Sequence, residues 1–196
     1  MNKTPSSAEA AESPAASPAT SPAKASAKAS AAGAPPQDPA CVVRESAIDG
    51  RGVFARRKIE PGERIIEYLG ERISWDEATR RASESGEPVN HTFFFSLANG
   101  KVIDGGRRGN EACFINHSCE PNCEALEVRG RVFIHALHPI ARGEELFYSY
   151  PLIYEGRHTA AIKRAFACHC GAPGCTGTML APKERVRRKK PAKASE

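Results

Sequence analysis

Gly109-Asn110-Glu111-Ala112-Cys113-Phe114-Ile115-Asn116-His117-Ser118-Cys119-Glu120-Pro121-Asn122-Cys123 packs hydrogen-bonding side chains behind a short apolar lead of Phe114 and Ile115. That order predicts a polar loop drawn into the interior, where each polar group needs a partner. Taken alone, His117 reads as a satisfied core histidine and Cys119 as a conceivable nucleophile. No acid is placed to orient a Cys/His pair, so nucleophilic catalysis is disfavoured.

Some fifty residues on, Cys168-His169-Cys170-Gly171-Ala172-Pro173-Gly174-Cys175 brings three cysteines together in a Gly/Pro-containing loop. Closely spaced thiolates repel one another unless a cation holds them, and a structural zinc takes four ligands in a tetrahedron. On spacing alone the fourth ligand is open among Cys41, Cys113, Cys119, Cys123 and His169. Seven cysteines, an odd number, suit a reducing compartment and metal binding better than a disulfide framework.

Around these segments, short extended runs alternate with turn signals at Gly50 to Gly52, Pro61-Gly62, Asn99-Gly100, Arg129-Gly130 and Arg142-Gly143. The spacing predicts a mainly β domain. Phe93 to Leu97 and Lys101 to Asp104 read as a hairpin on a type I′ Asn-Gly turn, and Glu124 to Val128 with Val132 to Ala136 as a second. One helix is marked by Ser74 with Glu77 three residues later, a capping box, and should end before Gly86-Glu87-Pro88. Tyr148 and Tyr150, two apart on an extended run, should share a face.

Composition sets the boundaries. Residues 1–40 hold no Ile, Leu, Val, Phe, Trp or Tyr and read as a disordered Ala/Pro/Ser/Lys-rich arm. Residues 181–196 carry seven basic and two acidic groups and read as a disordered basic tail, while 41–180 balances 18 against 18. The net charge of +5 thus sits in the tail, which could make weak nucleic-acid contacts by counterion release or simply be a solvated end. The segment PAKAS recurs at residues 22–26 and 191–195, a low-complexity similarity. No stretch approaches the ~20 apolar residues of a membrane span and no secretory h-region opens the chain, so the expectation is an intracellular protein without membrane contact. The arm contains no Arg, which argues against an organelle transit peptide.

In order, GRGVFA (50–55), EYLGE (67–71), VIDGG (102–106), GNEACFINHSCEPNC (109–123), GEELFYSY (143–150) and CHCGAPGCTG (168–177) resemble the SET-domain family of protein-lysine methyltransferases with its post-SET cysteine segment. The resemblance spans about residues 42–180. It implies small β-sheets, a pseudoknot and a few short helices, with a SET catalytic domain at 41–160 and a post-SET zinc-binding segment at 161–180. It further implies that Arg51, Gly52, Val53, Phe93, Asn116 and His117 hold S-adenosylmethionine. Tyr150 would be the catalytic tyrosine, with Tyr68 and Tyr148 lining the lysine channel, and Cys119 would join Cys168, Cys170 and Cys175 on zinc. The sequence departs from the family's pattern at Cys113, Phe93 and Ser149, where Arg, Tyr and Asp are usual, and it has no pre-SET segment.

The implied activity is methyl transfer to a lysine in a protein or peptide, histone or histone-like, by a monomer. Two other functions compete with it. A catalytically impaired SET-fold binding module would keep fold and zinc; the retained Tyr68 and Tyr150 argue against it. A tail-mediated nucleic-acid-binding protein would need more than a short tail without aromatic residues. The Ala/Pro/Lys arm suggests chromatin or nucleoid surroundings, and RVRRKK would be a nuclear signal in a eukaryote and a polyanion contact in a bacterium.

Overall fold

The computed structural model describes residues 39–86, 92–154 and 156–183. The arm, the basic tail and both PAKAS segments lie almost wholly outside them. Strands β1 (Cys41–Glu45) and β2 (Arg51–Ala55) form an antiparallel ribbon. They are followed by β3 (Arg64–Tyr68), β4 (Glu71–Ile73) and helix α1 (Trp75–Ser85). Next come β5 (Phe94–Ser96), β6 (Val102–Asp104), a 3₁₀ turn at Glu111–Phe114 and β7 (Asn116–His117). The hairpin β8 (Cys123–Val128) and β9 (Arg131–Ala136), then β10 (Phe147–Tyr148) and α2 (Ala160–Ala165), complete the order. Two three-stranded sheets, β3-β9-β8 and β4-β6-β5, accompany the β1-β2 and β10-β7 pairs, so the described residues are mainly β, as expected.

Both expected hairpins form, but the type I′ turn is at Arg129-Gly130 and not at Asn99-Gly100. Arg129 and Gly130 both have positive φ, 52° and 74°, with Val128 opposite Arg131, which is the two-residue type I′ geometry. At Asn99-Gly100 only Gly100 is positive, at 77°, and its N–H bonds to Leu97 O at 3.0 Å while Leu97 N reaches Lys101 O at 2.8 Å. That is a type I turn closed by a glycine bulge, correcting the type I′ expectation. The longer loop leaves Asn99 free of left-handed strain and lets its side chain accept from Lys101 N at 3.1 Å.

Helix α1 begins and ends where its signals lie: Ser74 accepts from Glu77 N at 3.2 Å, and Gly86 closes it in the left-handed region. Arg81 fastens it to the β4-β6 edge, with Nη1 3.0 Å from Glu71 and 2.7 Å from Asp104. Helix α2 was not expected. Thr159 caps it, but none of its residues is buried, so it carries no apolar stripe to read.

The core gathers Val53, Ile59, Ile115, Val132, Ile134, Ile140 and Leu146, all fully buried, each contributing about 1.5–3 kcal/mol by leaving water. Strand β9 is buried on both faces. One side chain, Phe133, is covered by the Arg64 and Arg131 guanidiniums, 4.9 and 5.0 Å from its centroid. The segment leading into β10 is gripped from both sides. Ala55 N bonds to Glu144 O at 2.8 Å and Leu146 N to Val53 O at 2.7 Å, while β10 pairs in parallel with β7, Phe147 beside Asn116 and Tyr148 beside His117.

Substituting Gly130→Ala forces a side chain into φ 74° and should cost about 1 kcal/mol. Denaturant unfolding should show a lower midpoint with an unchanged slope; an unchanged midpoint would contradict the turn assignment.

Candidate active site and metal centre

Three tyrosines converge where β3 and β10 end. Tyr68 is 3% exposed and Tyr148 9%, with Tyr150 half-buried beside them. The Tyr148 and Tyr150 rings are 4.6 Å apart, and Phe95 bridges Tyr68 and Tyr148 at 5.4 and 6.3 Å. The Tyr68 hydroxyl donates to Phe93 O at 2.8 Å, and the Tyr150 hydroxyl donates to Ile115 O. Burial pushes all three phenols above their ordinary value, although the Tyr148 hydroxyl pulls Tyr150 slightly back. At neutral pH the cluster is therefore uncharged and fully protonated.

A polar junction lies alongside. Glu145 accepts from Ser46 Oγ at 3.0 Å and from Asn116 Nδ2 at 2.9 Å, and the same amide reaches Arg51 O at 3.0 Å. A Cβ on Gly52 would sit 2.0 Å from Glu145 Oε1, so only glycine lets the carboxylate lie there. The Arg51 guanidinium stacks 3.8 Å from the Phe114 centroid, and Phe114 meets Phe93 edge-on at 5.6 Å. Val53 is fully buried, and its carbonyl accepts from Leu146 N at 2.7 Å. Of the residues expected around a cofactor, Arg51 and Phe93 therefore share one aromatic stack, while Gly52 and Asn116 share one carboxylate. His117, next along, is pushed down to about 4 by burial, against a weak opposing pull from the Tyr148 backbone.

Glu145 and Ser46 were not foreseen. Nothing local marks Glu145, because a glutamate after a Gly turn signals solvent rather than a hydrogen-bonded network.

The cysteine question has a geometric answer. The Sγ atoms of Cys119, Cys168, Cys170 and Cys175 all lie within 4.8 Å of one another. Cys119 Sγ is 3.8 Å from Cys168 Sγ and 3.9 Å from Cys175 Sγ. A tetrahedron with metal–sulfur bonds of about 2.3 Å has edges of about 3.8 Å, so this donor set fits a thiophilic divalent ion. Burial acts to raise the Cys170 thiol, but the Cys119 and Ala172 backbone N–H groups and the Cys168 and Cys175 thiols outweigh it and hold Cys170 at about 6. The other candidates stand apart: among the described residues, the cluster of donor atoms includes none of Cys41, Cys113, Cys123 and His169. The loop is tied to the motif by Glu120, which accepts from Gly174 N at 2.9 Å.

A parallel two-residue pairing beside buried tyrosines, with a three-cysteine loop folded back onto Cys119, fits the SET-type fold that the motifs implied. The SET domain family matches residues 50–151, and the chain belongs to it. It is 39% identical over 137 residues to a histone-lysine N-methyltransferase, H3 lysine-4 specific, of Candida albicans, covering 67% of this chain and 13% of that protein. It is also 39% identical over 137 residues to histone-lysine N-methyltransferase 2B of Homo sapiens, covering 68% and 5%. The chain thus spans a small part of these relatives. Among solved structures it resembles an active polycomb repressive complex 2 in the stimulated state, with TM-score 0.51, 36% identity, and 56% of this chain and 15% of that one covered. A second is ctPRC2 in an autoinhibited conformation bound to S-adenosylmethionine, with TM-score 0.50, 37% identity, and 55% and 14% covered.

Gly52→Ala should displace the Glu145 carboxylate and destabilise the fold by about 1–3 kcal/mol, the scale of overpacking. Adding Glu145→Ala should recover part of that loss. Strict additivity in a double-mutant cycle would show that the two residues do not compete for space.

Proposed function

We propose that the chain transfers a methyl group from S-adenosylmethionine to the side-chain amine of a protein lysine. The observation that carries this reading is the state of the tyrosine hydroxyls. Tyr68 and Tyr150 have already given their hydrogens to Phe93 O and Ile115 O, so toward a guest their oxygens only accept. A neutral amine presents N–H donors and one lone pair, and acceptors that hold its N–H groups aim that lone pair. None of the three phenols is ionised near neutral pH, so the amine loses its proton through desolvation in the aromatic enclosure rather than to a phenolate. A lysine of pKa near ~10.4 in water needs such a site to be uncharged.

Residues Arg51, Gly52, Val53, Phe93, Asn116 and His117 would hold S-adenosylmethionine. The uncharged aromatic walls and backbone carbonyls suit a cationic group. When bound, that cofactor supplies an electrophilic methyl on a sulfonium. Tyr150 is proposed as the catalytic tyrosine, with Tyr68 and Tyr148 as channel walls. Cys119, Cys168, Cys170 and Cys175 would bind zinc, closing segment 161–180 onto the catalytic domain at 41–160.

The relatives' names support histone or histone-like protein substrates, and with them a chromatin or nucleoid setting. No helix among the described residues is long and apolar enough to cross a membrane. Nucleic-acid contact through the basic tail and a monomeric state complete the proposal. Lys24, Lys28 and Lys193, candidates for self-methylation through tethering, lie outside the described residues. Incubating the protein with isotope-labelled cofactor and a histone mixture, then mapping methyl-lysine by mass spectrometry, tests the whole reading; absence of any labelled lysine would refute it.

Three variants refine it. Tyr150→Phe should lower turnover by roughly two orders of magnitude while leaving the fold intact, the scale of losing one positioned polar group at a reacting centre. Tyr148→Phe should shift products from mono- toward di- and trimethyl-lysine, because the Tyr148 hydroxyl occupies room that a methylated nitrogen needs; efficient trimethylation by the unaltered protein would contradict this. Cys170→Ser should abolish binding of one zinc per chain together with activity, and full activity in a metal-free preparation would exclude the zinc role.

A further inference from the structure

His117 touches both halves of the site. Its Nδ1 lies 2.9 Å from the backbone nitrogen of Tyr150, and its Nε2 lies 3.6 Å from Cys119 Sγ. A backbone N–H only donates, so Nδ1 must present its lone pair. The ring's one proton then sits on Nε2, where it points at sulfur. The ring has little freedom to do otherwise: it is 8% exposed, pairs through its backbone with Tyr148, and lies 5.5 Å from the Tyr150 ring. Cys119 Sγ also lies 3.6 Å from Thr176 Oγ1 on the cysteine loop.

We propose that His117 is a positioning residue, a strut that ties the occupancy of the four-cysteine site to the placement of Tyr150. The proposal rests on the zinc and methyltransferase readings above. A metal-bound thiolate is a pure acceptor, so an N–H donor fixes its direction and stabilises its charge. The opposite ring nitrogen holds the Tyr150 backbone, whose hydroxyl reaches Ile115 O. Without metal, Cys119 Sγ is no longer pinned by the ion, and nothing fixes its place opposite the Nε2 proton. The ring loses one of its two anchors, and Tyr150 loses a fixed partner.

The two ends of the ring are separable. His117→Asn keeps an acceptor near the Nδ1 position but has no donor that reaches Cys119. His117→Gln reaches toward the Nε2 position with an N–H donor but leaves Tyr150 N without its acceptor. In the full chain, zinc affinity measured by chelator competition should fall about tenfold or more in His117→Asn and much less in His117→Gln. The thiolate-to-metal charge-transfer bands of the cobalt-substituted protein should move in the first variant only. Turnover at saturating cofactor and peptide should fall further in His117→Gln. Equal effects of both substitutions on metal affinity and on the cobalt spectrum would overturn the strut.

A second measurement needs neither variants nor turnover: NMR of ring-¹⁵N-histidine in the zinc-loaded wild type should show His117 protonated at Nε2. Protonation at Nδ1 overturns the proposal. Because this readout is independent of catalysis, it judges the strut even where methyl transfer, and with it the functional reading, fails.

Discussion

Two residues of parallel β-pairing, Asn116 and His117 against Phe147 and Tyr148, hold together segments some thirty positions apart, and the tyrosine and cysteine sites both hang on that junction. Parallel pairs need a long crossover, supplied here by the β8-β9 hairpin, and a ladder this short has little intrinsic stability. It persists because side chains reinforce it. Glu145 draws Asn116 toward Ser46 and Arg51 O, Asn122 Oδ1 receives Phe147 N at 2.8 Å, and Asn122 Nδ2 reaches Glu145 O at 2.8 Å. The polar residues of the 109–123 segment therefore serve as the tie between chain segments. Each is satisfied: no buried side-chain nitrogen or oxygen among the described residues lacks a partner.

Legibility in the sequence followed the range of the interaction. Local signals succeeded where one short segment decides its own shape, as at Ser74, Glu77 and Gly86 around α1. They failed where sheet twist and loop length choose between turns. Arg129-Gly130 took the primed turn that Asn99-Gly100 had seemed to claim, because β8 and β9 run to a two-residue connection and β5 and β6 stop short. The fourth sulfur shows the same limit. Cys168, Cys170 and Cys175 announce themselves by spacing, but Cys119 lies 49 residues before Cys168, and spacing could not prefer it over Cys41 or Cys123. Only the ordered motifs singled it out. Glu145 stayed hidden because its partners, Ser46 and Asn116, are 99 and 29 positions away.

The departures from the family pattern have structural company. Cys113 is buried against the tyrosines, where a Cβ at Gly105 would meet both Cys113 Cβ at 2.9 Å and Tyr68 Oη at 2.6 Å, so the space is tightly filled. A guanidinium reaches this place from β2: Arg51 stacks on Phe114 and its charge is felt at Cys113. Phe93, lacking a hydroxyl, contributes its backbone carbonyl to Tyr68 and its ring edge to Phe114.

A site that handles a cation faces a choice between charge and polarity. A carboxylate against the amine would stabilise the ammonium and suppress the nucleophile, because an opposite charge favours the charged form. The nearby carboxylates already have partners: Asp104 pairs with Arg81 and Glu145 is bound to Ser46 and Asn116, while the charges of Asp104 and Asp49 only add to the rise of Tyr68 and Tyr150. What the cluster itself presents is phenol oxygen, aromatic face and peptide carbonyl, none of them charged. Such groups accept N–H donors without raising the amine's affinity for a proton as an anion would. Burial, by lifting all three phenols, keeps them so. On the proposed reading, the packing that makes the cluster expensive to wet is thus the same feature that would leave a guest amine neutral and oriented.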